Sequence, residues 1–227
     1  MNILAIETTE PLGSVAALSD ANLLCQLKLH PEKRSAQSLA PAVKGLLERV
    51  GWRPADVALV AVTAGPGSFT GLRVGVTTAK TLAYCVGAGI LGIDTLEAIA
   101  EGAPADVERL SVAVDAQRGQ VVAGWFHRGS DGFFAADEPS RLMDAEAWLA
   151  GLAADVAVAG PVLEQLADRV PAHLRVLDRQ FWHPTAAAVG RLAWRRHAAG
   201  FSDDVWSLVP RYSRPSAAEE KWQAKER

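Results

Sequence analysis

Apolar and polar positions first change over in short runs and then settle into a helical period. Segments 2–7, 13–19 and 22–29 read as three consecutive strands, parted by Leu12-Gly13 and by the turn-forming Asp20-Ala21-Asn22. Leu39, Val43, Leu46, Leu47 and Val50 then recur at i, i+4, i+7, i+8 and i+11, the stripe of an amphipathic helix that Gly51 caps. The apolar run at 57–62 predicts a buried strand over 57–64, followed by a glycine turn and a helix to about Val86. A short strand at 90–94 and a helix at 95–102 close the first half. The second half partly repeats this order. Strands at 110–114 and 120–127 flank Asp115-Ala116-Gln117-Arg118-Gly119, with a further strand near 133–136. A helix at 144–152, a strand at 156–159 and helices at 161–169 and 185–199 follow, and the residues after Tyr212 read as a polar tail that orders, if at all, on binding.

The turn Gly65-Pro66-Gly67-Ser68-Phe69-Thr70-Gly71-Leu72-Arg73-Val74-Gly75 lets the backbone approach something closely. Its spacing is G-x-G-x-x-x-G, which is neither a dinucleotide fingerprint nor a P-loop. Ser68 suits a helix cap, and the free N–H groups of the helix start could hold an anion. Ser68 also lacks the G-x-S-x-G frame of a hydrolase nucleophile. In the helix that follows, Gly71, Gly75, Ala79 and Ala83 recur every four residues and leave one face nearly bare. A glycine inside a helix costs about 1 kcal/mol against alanine, so two on one stripe imply close approach of another helix. That helix is either one of the same domain or part of an intermolecular seam.

The glycine-rich segment, the opening Met1-Asn2-Ile3-Leu4-Ala5-Ile6-Glu7-Thr8-Thr9, the stretch Val114-Asp115-Ala116-Gln117-Arg118-Gly119-Gln120-Val121 and the ending Val209-Pro210-Arg211-Tyr212-Ser213-Arg214 together resemble the bacterial TsaB (YeaZ) family. The resemblance implies an α/β, actin-like (ASKHA) fold of two RNase H-like lobes, here 1–104 and 105–213, with 214–227 as a tail. It implies a non-catalytic subunit that partners a TsaD-like enzyme in threonylcarbamoyladenosine (t6A) modification of tRNA position 37. A TsaE-like ATPase and the threonylcarbamoyl-AMP synthase TsaC complete that pathway, and tRNA is met only through the complex. The free protein is expected to be cytoplasmic, and a homodimer is open to it. Paired helices at about 36–50 and 69–86 would form the partner interface, with Leu39, Val43, Leu46, Gly71, Gly75, Ala79 and Ala83 as its residues.

In nucleotide-using relatives, Glu7, Thr8, Thr9 and Asp115 would line a cleft holding Mg²⁺ and phosphate. Here no lysine or arginine lies near Glu7 in sequence, and the adenosine-binding turn of such relatives is reduced to Ala159-Gly160-Pro161. No cofactor is expected, with weak ATP or ADP binding left open. The catalytic relative carries H-x-x-x-H in its first-helix region. His30 would need a histidine at 34, where Arg34 stands, and Ser35 replaces a histidine that TsaB proteins often keep. No metal site is expected, and the glycoprotease label of older usage loses its basis.

Composition narrows the classes further. Apolar residues make up 49% and charged residues 22%, enough for a core and too apolar for wholesale disorder. Met1 leads straight into a strand, with no signal peptide and no membrane-length apolar run. Cys25 and Cys85 form no metal or redox motif. The net charge of −3 predicts no strong nucleic-acid affinity, although residues from Val189 onward hold eight Lys/Arg against five Asp/Glu, which would suit an acidic partner. Most tryptophans suit core packing, and Trp222 in the tail suits a partner anchor. The rival from another class is an active small ATPase or hydrolase of the actin-like superfamily.

Overall fold

The apolar runs at the start of the chain become the middle of a twisted sheet. The computed structural model describes residues 1–30 and 35–214. Strands β1 (Asn2–Glu7), β2 (Ser14–Ser19) and β3 (Asn22–Lys28) form an antiparallel meander. Strands β4 (Leu59–Gly65) and β5 (Gly89–Asp94) add parallel to β1, giving the order β3-β2-β1-β4-β5. Strands buried on both faces need apolar residues at consecutive positions rather than in alternation. Ile3, Leu4, Ala5 and Ile6 of β1 are accordingly all buried. Leu4 and Ile6 pack under helices α1 (Ser35–Val50) and α2 (Phe69–Val86), while Ile3 and Ala5 face the opposite side.

The second sheet repeats this plan. Strands β6 (Arg109–Asp115) and β7 (Gln120–Arg128) form a hairpin, and β8 (Phe134–Ala136) and β9 (Arg141–Asp144) both pair with β7. Strand β10 (Ala157–Ala159) adds parallel to β6, and Val176 makes an isolated parallel bridge to Val158 where the first sheet has β5. Helix α3 (Thr95–Glu101) lies between the two cores, with Leu96 and Ile99 in the second and Ala98 in the first. Helices α4 (Ala145–Ala150) and α5 (Leu163–Leu166) cover the second sheet. Strand β9 was not expected from the sequence. It is four residues long, and Leu142 is exposed, so it carries no inward alternation to read.

The chain then returns. Helix α6 (Ala186–Ala198) falls within the range read as the second lobe, yet Ala186, Val189, Leu192 and Ala193 pack on Ile3, Ala5, Ala16 and Leu18 of the first sheet. The segment after it runs along the edge strand β5 and beside α2. Asp203 N donates to the Ile90 carbonyl at 3.0 Å, Asp203 Oδ2 accepts from Gly92 N at 2.7 Å, and Arg211 N donates to the Ala64 carbonyl at 2.6 Å. Lys80 Nζ of α2 donates to the carbonyls of Trp206 and Leu208. A boundary at residue 104 therefore separates the sheets but not all the elements that cover them.

Trp148 and Trp182 are core residues whose indole N–H groups reach Ser111 Oγ and the Leu177 carbonyl. Trp206 is instead 71% exposed and meets Tyr84 edge to face. Cys25 is half-buried and Cys85 exposed, both as free thiols. No helix among the described residues is long and apolar enough to cross a membrane. The expected tail from 215 onward, Trp222 within it, and Pro31–Arg34 lie outside the described residues.

Candidate functional site

The end of β1 decides how α2 sits. Thr8 Oγ1 donates to the Gly71 carbonyl at 2.8 Å, and Ser68 N donates to the Thr9 carbonyl at 3.0 Å. Ser68 caps α2 as expected, its side chain accepting from Gly71 N. A Cβ on Gly71 would lie 1.9 Å from the Thr8 carbonyl oxygen, and one on Gly75 would lie 2.2 Å from Thr8 Oγ1. The two glycines are therefore required by close approach to this chain's own strand. Ala79 and Ala83 continue the stripe into the same core, beside Leu39, Val43 and Leu46 of α1. This corrects the expected interface. Gly71, Gly75, Ala79, Ala83, Leu39, Val43 and Leu46 are all buried within the first lobe, so none is free to meet a partner.

Between the sheets lies a cleft of ≈1390 Å³. Thr9 and Asp115 line it from opposite lobes, and Asp115 Oδ1 accepts from Gln117 N at 2.8 Å within the β6–β7 hairpin. Glu7 and Thr8 are turned inward and do not line it. Glu7 is fully buried, and Oε1 accepts from both Thr9 N (2.5 Å) and Thr9 Oγ1 (2.6 Å) while Oε2 has no partner. Burial raises its pKa to about 8, outweighing the two Thr9 hydrogen bonds that favour the carboxylate. At neutral pH Glu7 thus holds its proton as a carboxylic acid.

The cleft does hold cations that reading along the chain missed. Lys28, Arg118, Arg179 and Arg214 line it from β3, the β6–β7 hairpin, the turn before α6 and the C-terminal segment. No local signal joins them, because the fold gathers them from four separate stretches. Arg179 grips Glu164 through Nε (2.7 Å) and Nη2 (2.5 Å), and Arg214 bonds Gln120. Among the described residues no cluster of three His, Cys, Asp or Glu could hold a metal ion.

The outer faces of α1 and α2 carry a different set of residues, small ones mixed with charged ones. On α1, Ala40, Pro41, Lys44 and Glu48 are exposed. On α2, Thr77 and Thr81 are exposed, and Val74 and Thr78 are half-buried beside them. Among the described residues, none beyond the neighbouring turns of its own helix lies within 4 Å of the position a Cβ on Gly45, in the middle of α1, would take. A mid-helix glycine costs about 1 kcal/mol against alanine, and no close approach among the described residues requires that one. Gly45 escaped the sequence reading because it is the single glycine of α1, so no second glycine at helical spacing marks a stripe.

Comparison with known proteins points one way. Residues 29–222 match the family model described as TsaD: tRNA N6-adenosine threonylcarbamoyltransferase. The tRNA threonylcarbamoyladenosine biosynthesis protein TsaB of Bacillus subtilis is 30% identical over 98% of both chains. Its namesake in Escherichia coli is 32% identical over 64% of each. The structure of YeaZ from Pseudomonas aeruginosa superposes with a TM-score of 0.83 at 26% identity, covering 93% of this chain and 99% of that one. The expected α/β, actin-like fold agrees with that likeness and with the repeated sheet plan. Matched over nearly its whole length by TsaB in sequence and by YeaZ in fold, the chain belongs to the TsaB (YeaZ) family.

Proposed function

We propose that this chain is a non-catalytic subunit that joins a TsaD-like enzyme in t6A modification of tRNA in the cytoplasm, through the outward faces of α1 and α2. The observation that carries the interface is Gly45, a destabilising residue whose side-chain space is empty in the single chain. A helix packing across this face would use that space, and Ala40 and Pro41 beside it would allow an interaxial distance at the low end of 8–10 Å. The same face serves a homodimer when the enzyme is absent. The arginines of the second lobe favour contact with tRNA through the complex rather than directly. Arg109, Arg175 and Arg195 are each paired to an aspartate, Asp155, Asp106 and Asp131, which leaves little net positive field for a phosphate backbone. A TsaE-like ATPase would join the assembly, with nucleotide bound weakly or not at all by this chain.

Gly45→Leu tests the interface. Leucine raises intrinsic helix stability by several tenths of a kcal/mol or more, so the isolated chain should melt at the same temperature or higher. Against a packed partner the added side chain costs roughly 1–3 kcal/mol, about a tenfold to hundredfold loss of affinity. Melting temperature and calorimetric affinity for the host's TsaD-like protein, measured on the same variant, decide it. Unchanged affinity would move the interface elsewhere. The rival reading, an active ATPase, is tested on the same preparation with Mg-ATP. We expect no turnover above background, and turnover abolished by Asp115→Ala would establish the rival.

A further inference from the structure

A set of titratable side chains spans the cleft apart from the residues considered so far. The His183 ring stands between two carboxylates, with Nδ1 facing Glu10 Oε2 at 3.7 Å and Nε2 facing Glu164 Oε1 at 3.5 Å. Glu10 follows β1 in the turn to β2, on the first lobe. Glu164 lies on α5, over the second sheet. His183 belongs to the crossover that leads from the second lobe into α6, and all three side chains line the cleft. Two other ionisable groups face them. Arg179 holds Glu164 through two nitrogens, and the buried Glu7 interacts with both Glu10 and His183 from β1.

We propose that Glu10, His183 and Glu164 form a proton-dependent latch that holds the two lobes together across the cleft. An imidazolium carries an N–H on each side of the ring and can direct one at each carboxylate. A neutral imidazole carries only one, and its bare nitrogen then turns a lone pair toward a negative oxygen. Losing the proton therefore releases one arm of the bridge. Glu164 still has Arg179, so the single N–H that remains stays with Glu10 and the arm that yields is the one to Glu164, which is the arm that reaches the second sheet.

The balance of charges fits this arrangement. Glu10 holds the His183 pKa above its ordinary 6.5, with Glu164 adding to it and partial burial opposing. A histidine raised on folding contributes fully below 6.5, and its contribution is lost as pH rises through the folded value. The latch is therefore closed below 6.5 and released as pH rises through the raised value. Its strength falls with added salt, because the side chain of His183 is 39% exposed.

The test uses the full chain in a Cys25→Ser, Cys85→Ser background, with spin labels at Ala55→Cys on the first lobe and Ala154→Cys on the second. Both positions are exposed. The label–label distance is measured from about pH 5.5 to about pH 8.5, and the His183 ring is titrated by NMR over the same range. The distance should lengthen or broaden with the midpoint of His183. In Glu10→Gln the ring should titrate nearer 6.5 and the distance distribution should be the open one throughout. In His183→Gln the pH response should vanish. Glu7→Gln separates the neighbouring acid: a response kept in that variant supports the latch. The proposal is overturned by a distance that ignores pH in the parent chain, by a response that survives in His183→Gln, or by one that disappears in Glu7→Gln.

Discussion

Gly75→Leu should lower the melting temperature of the isolated chain by about 2–20 °C. The Cβ alone would come within 2.2 Å of Thr8 Oγ1, the hydroxyl that bonds the Gly71 carbonyl beneath α2. Relieving that clash means pushing α2 off the sheet or turning Thr8 away from its acceptor. Overpacking costs roughly 1–3 kcal/mol and occasionally more, and an unsatisfied buried polar group adds about 1–3 kcal/mol. Better helix propensity returns only about 0.8 kcal/mol. The net loss is about 1–5 kcal/mol, at roughly 2–4 °C per kcal/mol for a chain of this size. Gly71→Ala should be damaging out of proportion to its one methyl group. That methyl meets a backbone carbonyl at 1.9 Å, which cannot rotate aside. Differential scanning calorimetry of both variants beside Gly45→Leu gives the contrast. Should Gly75→Leu melt no lower than the parent, the packing of α2 on Thr8 is not what the stripe is for.

The second large effect is on pH. Glu7 has a folded pKa of about 8 against an ordinary 4.5. Below 4.5 the carboxyl is protonated whether the chain is folded or not, and stability is at its full value. Between 4.5 and about 8 the unfolded chain releases this proton and the folded chain keeps it, so stability falls with rising pH. The slope approaches ~1.4 kcal/mol per pH unit, a total on the order of several kcal/mol, and it levels off once the folded group ionises too. Glu7→Gln should remove this slope. The amide leaves an N–H group without a partner where Oε2 has none now, which costs about 1–3 kcal/mol in acid. The two stability curves should therefore cross, the parent being better near pH 5 and the variant level or better near pH 8. Urea unfolding at several pH values measures it, with His183→Gln as the control for the other group that loses stabilisation in the upper part of this range. Parallel curves for parent and Glu7→Gln would mean that Glu7 ionises normally.

The sequence disclosed elements more readily than directions. Strands β1, β2, β4, β6 and β7 and helices α1, α2 and α6 stand close to where periodicity put them, because burial on both faces or along one stripe writes a continuous apolar record. The direction of the small stripe was the part that periodicity could not give. Gly71 and Gly75 signal close approach, but they do so equally for a strand of the same lobe and for a foreign helix. Only the position of Thr8, more than sixty residues earlier in the chain, tells them apart. The cleft was half legible for the same reason. Thr9 and Asp115 end strands that the pattern predicts, whereas Lys28, Arg179 and His183 reach it from segments with no shared motif. The unfilled space at Gly45 could have been sought by asking which glycine in a helix lacks any counterpart on its face, a question that becomes answerable with coordinates.

The return of α6 to the first sheet has a consequence for synthesis. Ile3, Ala5, Ala16 and Leu18 leave the ribosome well before the helix that covers them, which ends at Ala198. The first sheet therefore cannot finish folding until α6 is made, and its apolar face waits through the synthesis of the second sheet. Contacts this far apart in sequence slow folding and prolong the exposure of sticky surface to chaperones and to other nascent chains. A stop codon anywhere before α6 would leave not a working half-protein but a sheet with one side bare.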